Sequence, residues 1–385
     1  MNNILLCDAN FCVLPILEII HKKKFNLTVA GSLISDPCHI LADHSVKLDY
    51  SNYNALLKHA EEKKYIGIVP GCNDQSYLSS SFVAEKLSLP GFDSYETALI
   101  IHHKDKFRAF AEEHQYSIPK AIDNINDISK LNFPILIKPI DSFSGKGISK
   151  AYNIDEATTF WSQAKSFSSE GAVIAEEFIE GELYSHSAFI KNKKILIDFF
   201  VNEYCTVYPY QVNSSNVSTN LQDNIKTQLR NWTEQFADDL NLCDGLIHTQ
   251  FLVKDDNFYL IEVARRSPGD LYSQLIKKST GVDYAELYAL PFCNIELPEK
   301  VITVTDKYIS RHTVTTDKNC IFISTKLNID CLNSLYIPLK NTGEIMKKAP
   351  FGKSGIYFIE HKSKVEMELL TKNLKELIEI ETLNL

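Results

Sequence analysis

Residues 248–266 read HTQFLVKDDNFYLIEVARR, and this stretch constrains the architecture more than any other part of the chain. Apolar and polar residues alternate on both sides of Asp255-Asp256-Asn257, which is typical of a β-hairpin. With the turn centred on Asp256, Gln250 and Glu262 each lie six positions away and face each other. Their Cβ atoms would then be about 4.5–5.5 Å apart, close enough for two side-chain oxygens to bind one Mg²⁺.

The same register predicts two different faces for this hairpin. The opposite face would carry apolar side chains: Phe251, Val253, Tyr259, Ile261 and Val263. His248 shares the face of Gln250, and by parity Arg266 rather than Arg265 belongs on the metal side. A purely structural hairpin, with a buried hydrogen bond between Gln250 and Glu262, is the alternative. A buried carboxylate without a cation is costly, which favours the metal site.

The first hundred residues alternate short apolar runs with amphipathic segments. The runs predict buried strands at 3–7, 27–30 and 66–69, with helices at about 13–20, 53–64 and 75–87. This βαβαβ order implies a parallel sheet that binds ligands at the carboxyl ends of its strands. Asn73 and Asp74 follow one such end, where substrate contact and a turn with a helix cap are equally good interpretations.

Two further segments carry residues suited to a nucleotide. In FPILIKPIDSFSGKGI, residues 133–148, an apolar strand ends at Lys138 and a loop of small residues follows. Glycines let such a loop bring backbone N–H groups close to phosphate oxygens, and a lysine adds a charge. In VIAEEFIEGE, residues 173–182, a strand ends in paired carboxylates, which can hold ribose hydroxyls. A plain hairpin and a solvated acidic strand end are the alternatives.

The composition is that of an ordinary globular chain, and it argues against two classes of binding partner. A formal net charge of −9, without a basic stripe, argues against nucleic acid. No apolar run reaches the roughly 18 residues of a membrane helix, so no membrane partner is expected. Nine cysteines without a CxxC pair fit a reducing compartment, and we expect a cytoplasmic protein. Elsewhere the pattern predicts helices over 105–114, 224–240 and 364–380 and a polar loop over 202–220.

Taken in order along the chain, these segments resemble the ATP-grasp superfamily. HHKDKFR, residues 102–108, with Pro119 thirteen residues beyond Lys106, is similar to the family's DKxxF…P segment. EVARRSPG, residues 262–269, is similar to its ExNPRxxG motif. The resemblance implies that Gln250 and Glu262 bind one or two Mg²⁺ ions and that Arg266 and Lys138 are catalytic. It also implies a set of ATP-binding residues: Lys106, Lys138, Ser144, Gly145, Lys146, Gly147, Glu176, Glu177, Phe178, Ile179 and Glu182.

Three positions depart from the family pattern. Gln250 stands where many members carry a glutamate or aspartate, although members similar to carbamoyl phosphate synthase use glutamine. Ala264 replaces the asparagine that often completes the shell of a second metal ion, which leaves the number of ions open. Gly181 and Glu182 are adjacent where the family usually has Gly-x-Glu. The assignment of Glu182 to the ribose therefore departs from the family spacing by one residue.

The resemblance also implies a fold and a division into domains. The fold would be α/β, with an N-terminal parallel α/β (preATP-grasp) domain at residues 1–100. A two-lobed ATP-grasp α+β domain would follow at 101–300, with a lid subdomain at about 115–180. Residues 301–385 would form a C-terminal α+β portion that completes the ligase.

The function that the resemblance implies is an ATP-dependent ligase. It would activate a carboxylate as an acyl phosphate and couple it to an amine, with release of ADP and phosphate. One alternative is a carbamoyl-phosphate-synthase-like or biotin-carboxylase-like enzyme that phosphorylates bicarbonate. The other is a non-catalytic nucleotide-binding or regulatory protein.

The expected partners are a small-molecule carboxylate and an amine, amino acids among them, and a homodimer is compatible with the pattern. Candidate walls of the substrate site are Asn73, His186, Tyr210, Asn213 and Arg311. Arg311 could pair with a substrate carboxylate or form a surface salt bridge.

Overall fold

The computed structural model describes residues 2–141, 145–168 and 170–385. The described strands are β1 (Asn3–Cys7), β2 (Asn26–Gly31), β3 (His44–Lys47), β4 (Gly67–Pro70), β5 (Ala121–Ile122), β6 (Ile135–Pro139), β7 (Ser149–Ala151), β8 (Val173–Glu177), β9 (Glu182–Lys191), β10 (Lys194–Tyr204), β11 (Ser214–Val217), β12 (Gly245–Lys254), β13 (Asn257–Ala264), β14 (Ile309–Val314), β15 (Cys320–Leu327), β16 (Asn333–Pro338), β17 (Ile345–Met346), β18 (Gly355–Glu360) and β19 (Ile378–Asn384).

The helices connect these strands and cover their sheets. They are α1 (Leu14–Lys22), α2 (Cys38–Leu41), α3 (Tyr53–Lys63), α4 (Asp74–Leu87), α5 (Tyr95–His102), α6 (Lys104–Glu113), α7 (Ile154–Lys165), α8 (Asp223–Asp239), α9 (Tyr272–Thr280), α10 (Tyr284–Ala289), α11 (Lys364–Thr371) and α12 (Leu374–Leu377), with 3-10 turns at Phe11–Val13, Ile125–Lys130 and Pro291–Cys293. None of the helices in the described ranges combines the length and the apolar character needed to cross a membrane.

The N-terminal sheet is parallel, with the strand order β3-β2-β1-β4. Leu5 and Leu6 point to opposite faces of β1, and both are fully buried because helices cover both faces. The three predicted strands and three predicted helices of this region are confirmed. Strand β3 was not predicted, because it is an exposed edge strand without an apolar run.

Two glycines allow a later part of the chain to pack closely against this sheet. A Cβ atom on Gly67 would lie 2.2 Å from the carbonyl oxygen of Phe292. One on Gly91, where φ is +89°, would lie 2.7 Å from the backbone nitrogen of the same residue. The turn at Pro291–Cys293 is therefore interlocked with the N-terminal sheet, and Phe292 is part of its core.

The remaining sheets are antiparallel. A four-stranded sheet has the order β5-β8-β6-β7, an eight-stranded sheet the order β13-β12-β9-β10-β11-β14-β18-β16, and a three-stranded sheet the order β17-β15-β19. A parallel α/β sheet followed by mixed α and antiparallel β structure confirms the predicted α/β class.

Two sequence predictions of secondary structure are wrong. The polar loop predicted over 202–220 contains the end of β10 and all of β11, whose serines and asparagines are buried in the middle of the large sheet. The helix predicted over 364–380 ends at Thr371, and after α12 the chain forms β19. The alternating run IEIETLN forms β19 and pairs with β15. Its two-residue period is that of a strand and not of the predicted helix.

The β12–β13 hairpin pairs Gln250 with Glu262, as predicted, but through a different geometry. Its turn is the residue pair Asp255-Asp256, both with positive φ, and Lys254 opposes Asn257. The register then shifts by one beside Gln250, which is characteristic of a β-bulge.

The bulge changes which side chains are buried. Leu260 packs in the core instead of Ile261, which lines a cavity on the other face together with Glu262. The predicted placement of Tyr259 and Ile261 on the face opposite Gln250 and Glu262 is therefore wrong, because the two-residue period is interrupted at the bulge.

Candidate active site

A cavity of about 700 Å³ lies where the N-terminal sheet, the β5–β8 sheet and the eight-stranded sheet come together. Its wall includes ten of the residues that the sequence singled out: Lys138, Gly145, Glu176, Glu177, Phe178, Ile179, Glu182, Gln250, Glu262 and Arg266. Residues far apart in sequence thus meet in one concave site, which is the usual form of a small-molecule site.

The structure corrects the position of the first lysine. Lys106 is exposed and lies outside the cavity wall, whereas Lys104 lines the cavity and donates to the carbonyl oxygen of Ile140 at 3.3 Å. Two residues span about 200° around a helix, so α6 cannot direct both lysines to the same side.

The glycine-rich loop contributes to the cavity mainly through Gly145. The hydroxyl of Tyr208 donates to the carbonyl oxygen of Gly145 at 3.0 Å. Lys146 lies over the ring of Phe351, and Gly147 packs against Phe167, so neither of these two predicted residues lines the cavity. Ser144, also predicted, lies outside the described residues.

Lys138 is held at the cavity wall by a buried ion-pair network. Its ammonium group donates to Glu176, whose carboxylate also accepts from Arg108 at 3.0 Å. Burial would raise the pKa of Glu176, but Arg108 and Lys138 outweigh it and lower that pKa to about 2. Glu176 therefore positions Lys138, and Arg108 is a site residue that the sequence patterns did not reveal.

The segment predicted to contact adenine lines the cavity, but not through all its side chains. The carboxylate of Glu177 accepts from the backbone nitrogen of Asn132 at 2.9 Å. Glu182 accepts from the hydroxyl of Tyr184 at 2.7 Å and stays exposed at the cavity mouth. The extended backbone around Ile179 is therefore the part of this segment that lies along the cavity.

The predicted metal pair includes a third partner that sequence reasoning missed. The amide nitrogen of Gln250 donates to a carboxylate oxygen of Glu203 at 2.6 Å. Glu203 is buried, and burial raises its pKa. It was missed because its strand, β10, runs into the segment assigned to a polar loop.

The donor set fits Mg²⁺ bound together with a nucleotide. With the amide nitrogen of Gln250 committed to Glu203, its amide oxygen remains for a cation, beside the partly exposed carboxylate of Glu262. Among the described residues, no group of three or more His, Cys, Asp or Glu is arranged for a metal ion. Mg²⁺ commonly takes one or two protein oxygens and completes its shell with phosphates and water.

The two adjacent arginines lie in different environments. Arg266 lines the cavity, where its Nε lies 3.1 Å from Asp74 and its Nη2 3.4 Å from Glu262. Arg265 is buried in the core and pairs with Asp93 at 2.9 Å. Asp74, the first residue of α4, therefore orients Arg266 from the N-terminal sheet.

The imidazole of His102 also binds Asp74, at 2.8 Å. Burial acts against ionisation of Asp74, but Arg266 and His102 outweigh it and hold the pKa of Asp74 well below its usual value. Asp74 is thus a charged anchor for Arg266, in addition to being the start of a helix.

Three of the five candidate wall residues line the cavity, namely Asn73, Tyr210 and Arg311. His186 instead stacks on Phe200 and pairs with Asp198, while Asn213 binds Thr206 within its own loop. The surface salt bridge considered for Arg311 is wrong, because this residue is only 4% exposed.

Comparison with known proteins identifies the central part of the chain. A family model described as an ATP-grasp domain matches residues 101–269. The chain contains an ATP-grasp domain. A carbamoyl phosphate synthase large chain from Thermoanaerobacter pseudethanolicus is 26% identical over 296 residues, which cover 74% of this chain and 27% of that protein. The chain therefore spans about a quarter of the length of this relative.

Solved structures show the same fold beyond the ATP-grasp domain. An L-amino acid ligase from Bacillus licheniformis superposes with a TM-score of 0.80 and 17% identity, covering 100% of this chain and 99% of that one. The biotin carboxylase domain of 2-oxoglutarate carboxylase from Hydrogenobacter thermophilus, solved with MgADP, ADP and bicarbonate, gives a TM-score of 0.76 and 13% identity, covering 99% and 91%.

The cavity extends beyond the ATP-grasp domain at both ends of the chain. Asp74 precedes the matched residues, and Asp270, Arg311 and Lys353 follow them, yet all four line the cavity. Asp270 accepts from Lys353 and, at 3.0 Å, from Thr313. The sequence patterns singled out Asp74 and Arg311 but not Asp270 and Lys353, which only the folded chain reveals.

Proposed function

We propose that this protein is an ATP-dependent ligase that activates a carboxylate as an acyl phosphate and couples it to an amine. One observation carries the proposal: a single cavity holds Lys138, the Gln250–Glu262 pair and Arg266. A nucleotide sensor needs only to bind phosphates. An arginine held by Asp74 beside the metal pair suits the transfer of a phosphoryl group, because it neutralises charge that develops in the transition state.

ATP would lie between the β5–β8 sheet and the hairpin. Lys104 and Lys138, which line the cavity, would bind its phosphates, and the backbone around Ile179 and the carboxylate of Glu182 would bind adenine and ribose. Mg²⁺, held by Gln250 and Glu262, would neutralise charge on the phosphates of the nucleotide.

The reaction would proceed in two balanced steps. A carboxylate oxygen attacks the γ-phosphorus, the bond from that phosphorus to the bridging oxygen breaks, and ADP leaves with the bonding electrons. The amine nitrogen then bonds to the acyl carbon, the bond between that carbon and the phosphate oxygen breaks, and phosphate leaves. The nitrogen releases its proton to solvent, and the products are an amide, ADP and phosphate.

A second candidate is supported by the similarity to carbamoyl phosphate synthase and by the glutamine at position 250. In that case bicarbonate would be the carboxylate that is phosphorylated. The ligase of amino acids in the structural comparison supports the first candidate and suggests amino acids as substrates.

The test is the nucleotide product formed with different substrates. Purified protein with Mg-ATP is incubated with pairs of amino acids and, separately, with bicarbonate and ammonia. ADP and phosphate should appear together with an amide when the correct pair is present. Release of AMP and pyrophosphate would refute the acyl-phosphate mechanism, and ADP formed only with bicarbonate would select the second candidate.

A further inference from the structure

Three polar side chains form a straight row across the large sheet at one end of the cavity. Glu203 in β10 is directly opposite Ser215 in β11, which is directly opposite Arg311 in β14. Directly opposed residues of antiparallel strands share a face of the sheet. Glu203 and Arg311 line the cavity, so this row borders it.

The row contains buried polar atoms that the described residues leave without partners. The hydroxyl of Ser215 and the Nε of Arg311 are inaccessible, and no described residue lies within hydrogen-bonding distance of either. Within the described part of the chain, Arg311 donates hydrogen bonds through its Nη1 to the carbonyl oxygens of Gly269, at 3.4 Å, and Asp270, at 3.1 Å. Buried polar groups are nearly always hydrogen-bonded, so the unpaired Nε of Arg311, a residue of the cavity wall, indicates a ligand.

Among the described residues, neither Glu203 nor Arg311 forms a close ion pair, although each lies within electrostatic range of the other. Glu203 receives a hydrogen bond from the neutral amide of Gln250, and Arg311 binds neutral carbonyl groups, although 95% or more of each residue is buried. Two strand spacings separate their backbones by about 10 Å. A buried charge is stabilised when a ligand supplies its counter-charge. A ligand with one positive and one negative group would match both ends of the row.

We propose that Glu203 and Arg311 form the binding site for an α-amino acid that serves as the amine substrate. Its ammonium group binds Glu203, and its carboxylate binds Arg311. The inference rests on the proposed function, in which this group loses one proton to solvent, attacks the acyl phosphate as a neutral amine and loses a second proton as the amide forms. Glu203 contacts Gln250, so the amino group lies beside the phosphoryl-transfer end of the cavity.

The composition of the row excludes simpler ligands. A dicarboxylate or a phosphate would meet Glu203 with a like charge, and a simple amine would leave Arg311 without an anion. A site built to hydrogen-bond a polar group discriminates strongly against analogues that lack it, since its own buried groups are then left unpaired.

The test is calorimetric binding to the full chain in the presence of Mg-ADP. The standard L-α-amino acids are titrated one at a time, and the tightest is compared with its α-hydroxy acid and with the amine formed by its decarboxylation. Each analogue should bind weaker by about tenfold or more, the usual effect of losing a charge-assisted hydrogen bond.

Two variants assign each half of the ligand. Glu203→Gln should weaken binding of the amino acid by about tenfold or more and leave the affinity for the hydroxy acid unchanged. Arg311→Gln should weaken binding of the amino acid to a similar extent and leave the affinity for the decarboxylated amine unchanged. Arg230→Gln and Glu234→Gln, which change an arginine and a glutamate outside this cavity, are the matched controls.

The outcomes separate the subsite from the reaction. Failure of every amino acid to bind, or equal binding of the analogues by the wild-type protein, overturns the subsite even where a variant does not fold. Binding with the expected pattern, but no ADP with any carboxylate, upholds the subsite and refutes the ligase. ADP formed equally well with amines that lack a carboxylate upholds the ligase and refutes the subsite.

Discussion

At the scale of single residues, two adjacent arginines have different roles: one belongs to the proposed active site and the other stabilises the core. Arg266 and Arg265 are neighbours in sequence, yet one faces the cavity and the other pairs with Asp93 in the core. Parity along the strand predicts this division from the sequence. The lysines show the limit of such reasoning, because motif spacing selected Lys106 whereas the helix directs Lys104 to the cavity.

The arginine pair leads to a prediction about kinetics. Arg266→Lys should lower kcat far more than it weakens ATP binding, because an ammonium group cannot reproduce the planar fork that binds a transferring phosphoryl group. Arginines in this role contribute about 10³-fold or more in rate. Steady-state kinetics, with ATP affinity measured separately by calorimetry, provides the check.

Arg265→Lys is the control for that experiment. It removes hydrogen bonds to Asp93 and to the carbonyl oxygens of Leu246 and Cys243 in the core. We expect a lower melting temperature and a nearly unchanged kcat in the protein that remains folded. A kcat loss of equal size in both variants would remove Arg266 from the catalytic role.

At the scale of elements, the β12–β13 hairpin was predictable in type and only partly in detail. Alternation and two aspartates were enough to predict a turn, and the pairing of Gln250 with Glu262 followed. The bulge was not predictable, because the pattern of apolar residues does not show which of two successive residues is the extra one. Likewise β9, β10 and β11 carry buried serines and asparagines, which hid their alternation.

The bulge gives a prediction about the metal pair. Deleting Ile261 would remove the extra residue and let the strand pair regularly, with Glu262 still opposite Gln250 on the cavity face, because Leu260 and Val263 keep facing the core. Mg²⁺-dependent nucleotide binding should be retained, because both predicted metal ligands stay in the cavity. Ile261→Val, which keeps the register, is the matched control.

The measurement for the bulge is nucleotide affinity by calorimetry at several Mg²⁺ concentrations, with circular dichroism to follow the fold. Loss of Mg²⁺-dependent affinity in the deletion variant, with Ile261→Val unchanged, would contradict this prediction and show that the metal pair needs the extra residue.

At the scale of the whole molecule, buried ion pairs join parts of the chain and make stability depend on pH. Glu176 bridges Arg108 of α6 and Lys138 of β6, and Asp198 pairs with Arg230 of α8. Although burial opposes it, Arg108 and Lys138 lower the pKa of Glu176 to about 2, and hydrogen bonds from His186 and Arg230 lower the pKa of Asp198 to about 2. Both values lie below the ordinary values of 4.5 and 3.8.

A depressed carboxyl pKa fixes the sign of the pH effect. These two groups contribute stability that is fully present above their unfolded pKa values and is lost as pH falls through the range from about 4.5 to about 2. Burial raises the pKa values of Asp8 and Glu203, so these two groups act in the opposite direction over the acidic range. Melting temperatures measured between pH 7 and pH 3 should therefore fall most steeply below pH 4.5.

The variant that isolates this effect is Glu176→Gln. It should be less stable at pH 7, because Arg108 and Lys138 remain buried without their carboxylate, and its melting temperature should depend less on pH below 4.5. Glu177→Gln changes the neighbouring, less buried carboxylate and should keep the pH dependence of the wild type. The same acid dependence in wild type and Glu176→Gln would contradict the assignment.

The close packing of Gly67 and Gly91 against Phe292 restricts how this chain can be recombined with its relatives. A chimera that exchanged only the N-terminal sheet would fit only if the donor also carried glycine at both positions, because there is no room for a Cβ atom at either. It would also have to bring a carboxylate to the position of Asp74, or Arg266 would lose its anchor. Successful exchanges should therefore transfer residues 1–100 together with the turn at Pro291–Cys293, so that two segments distant in sequence are inherited as one unit.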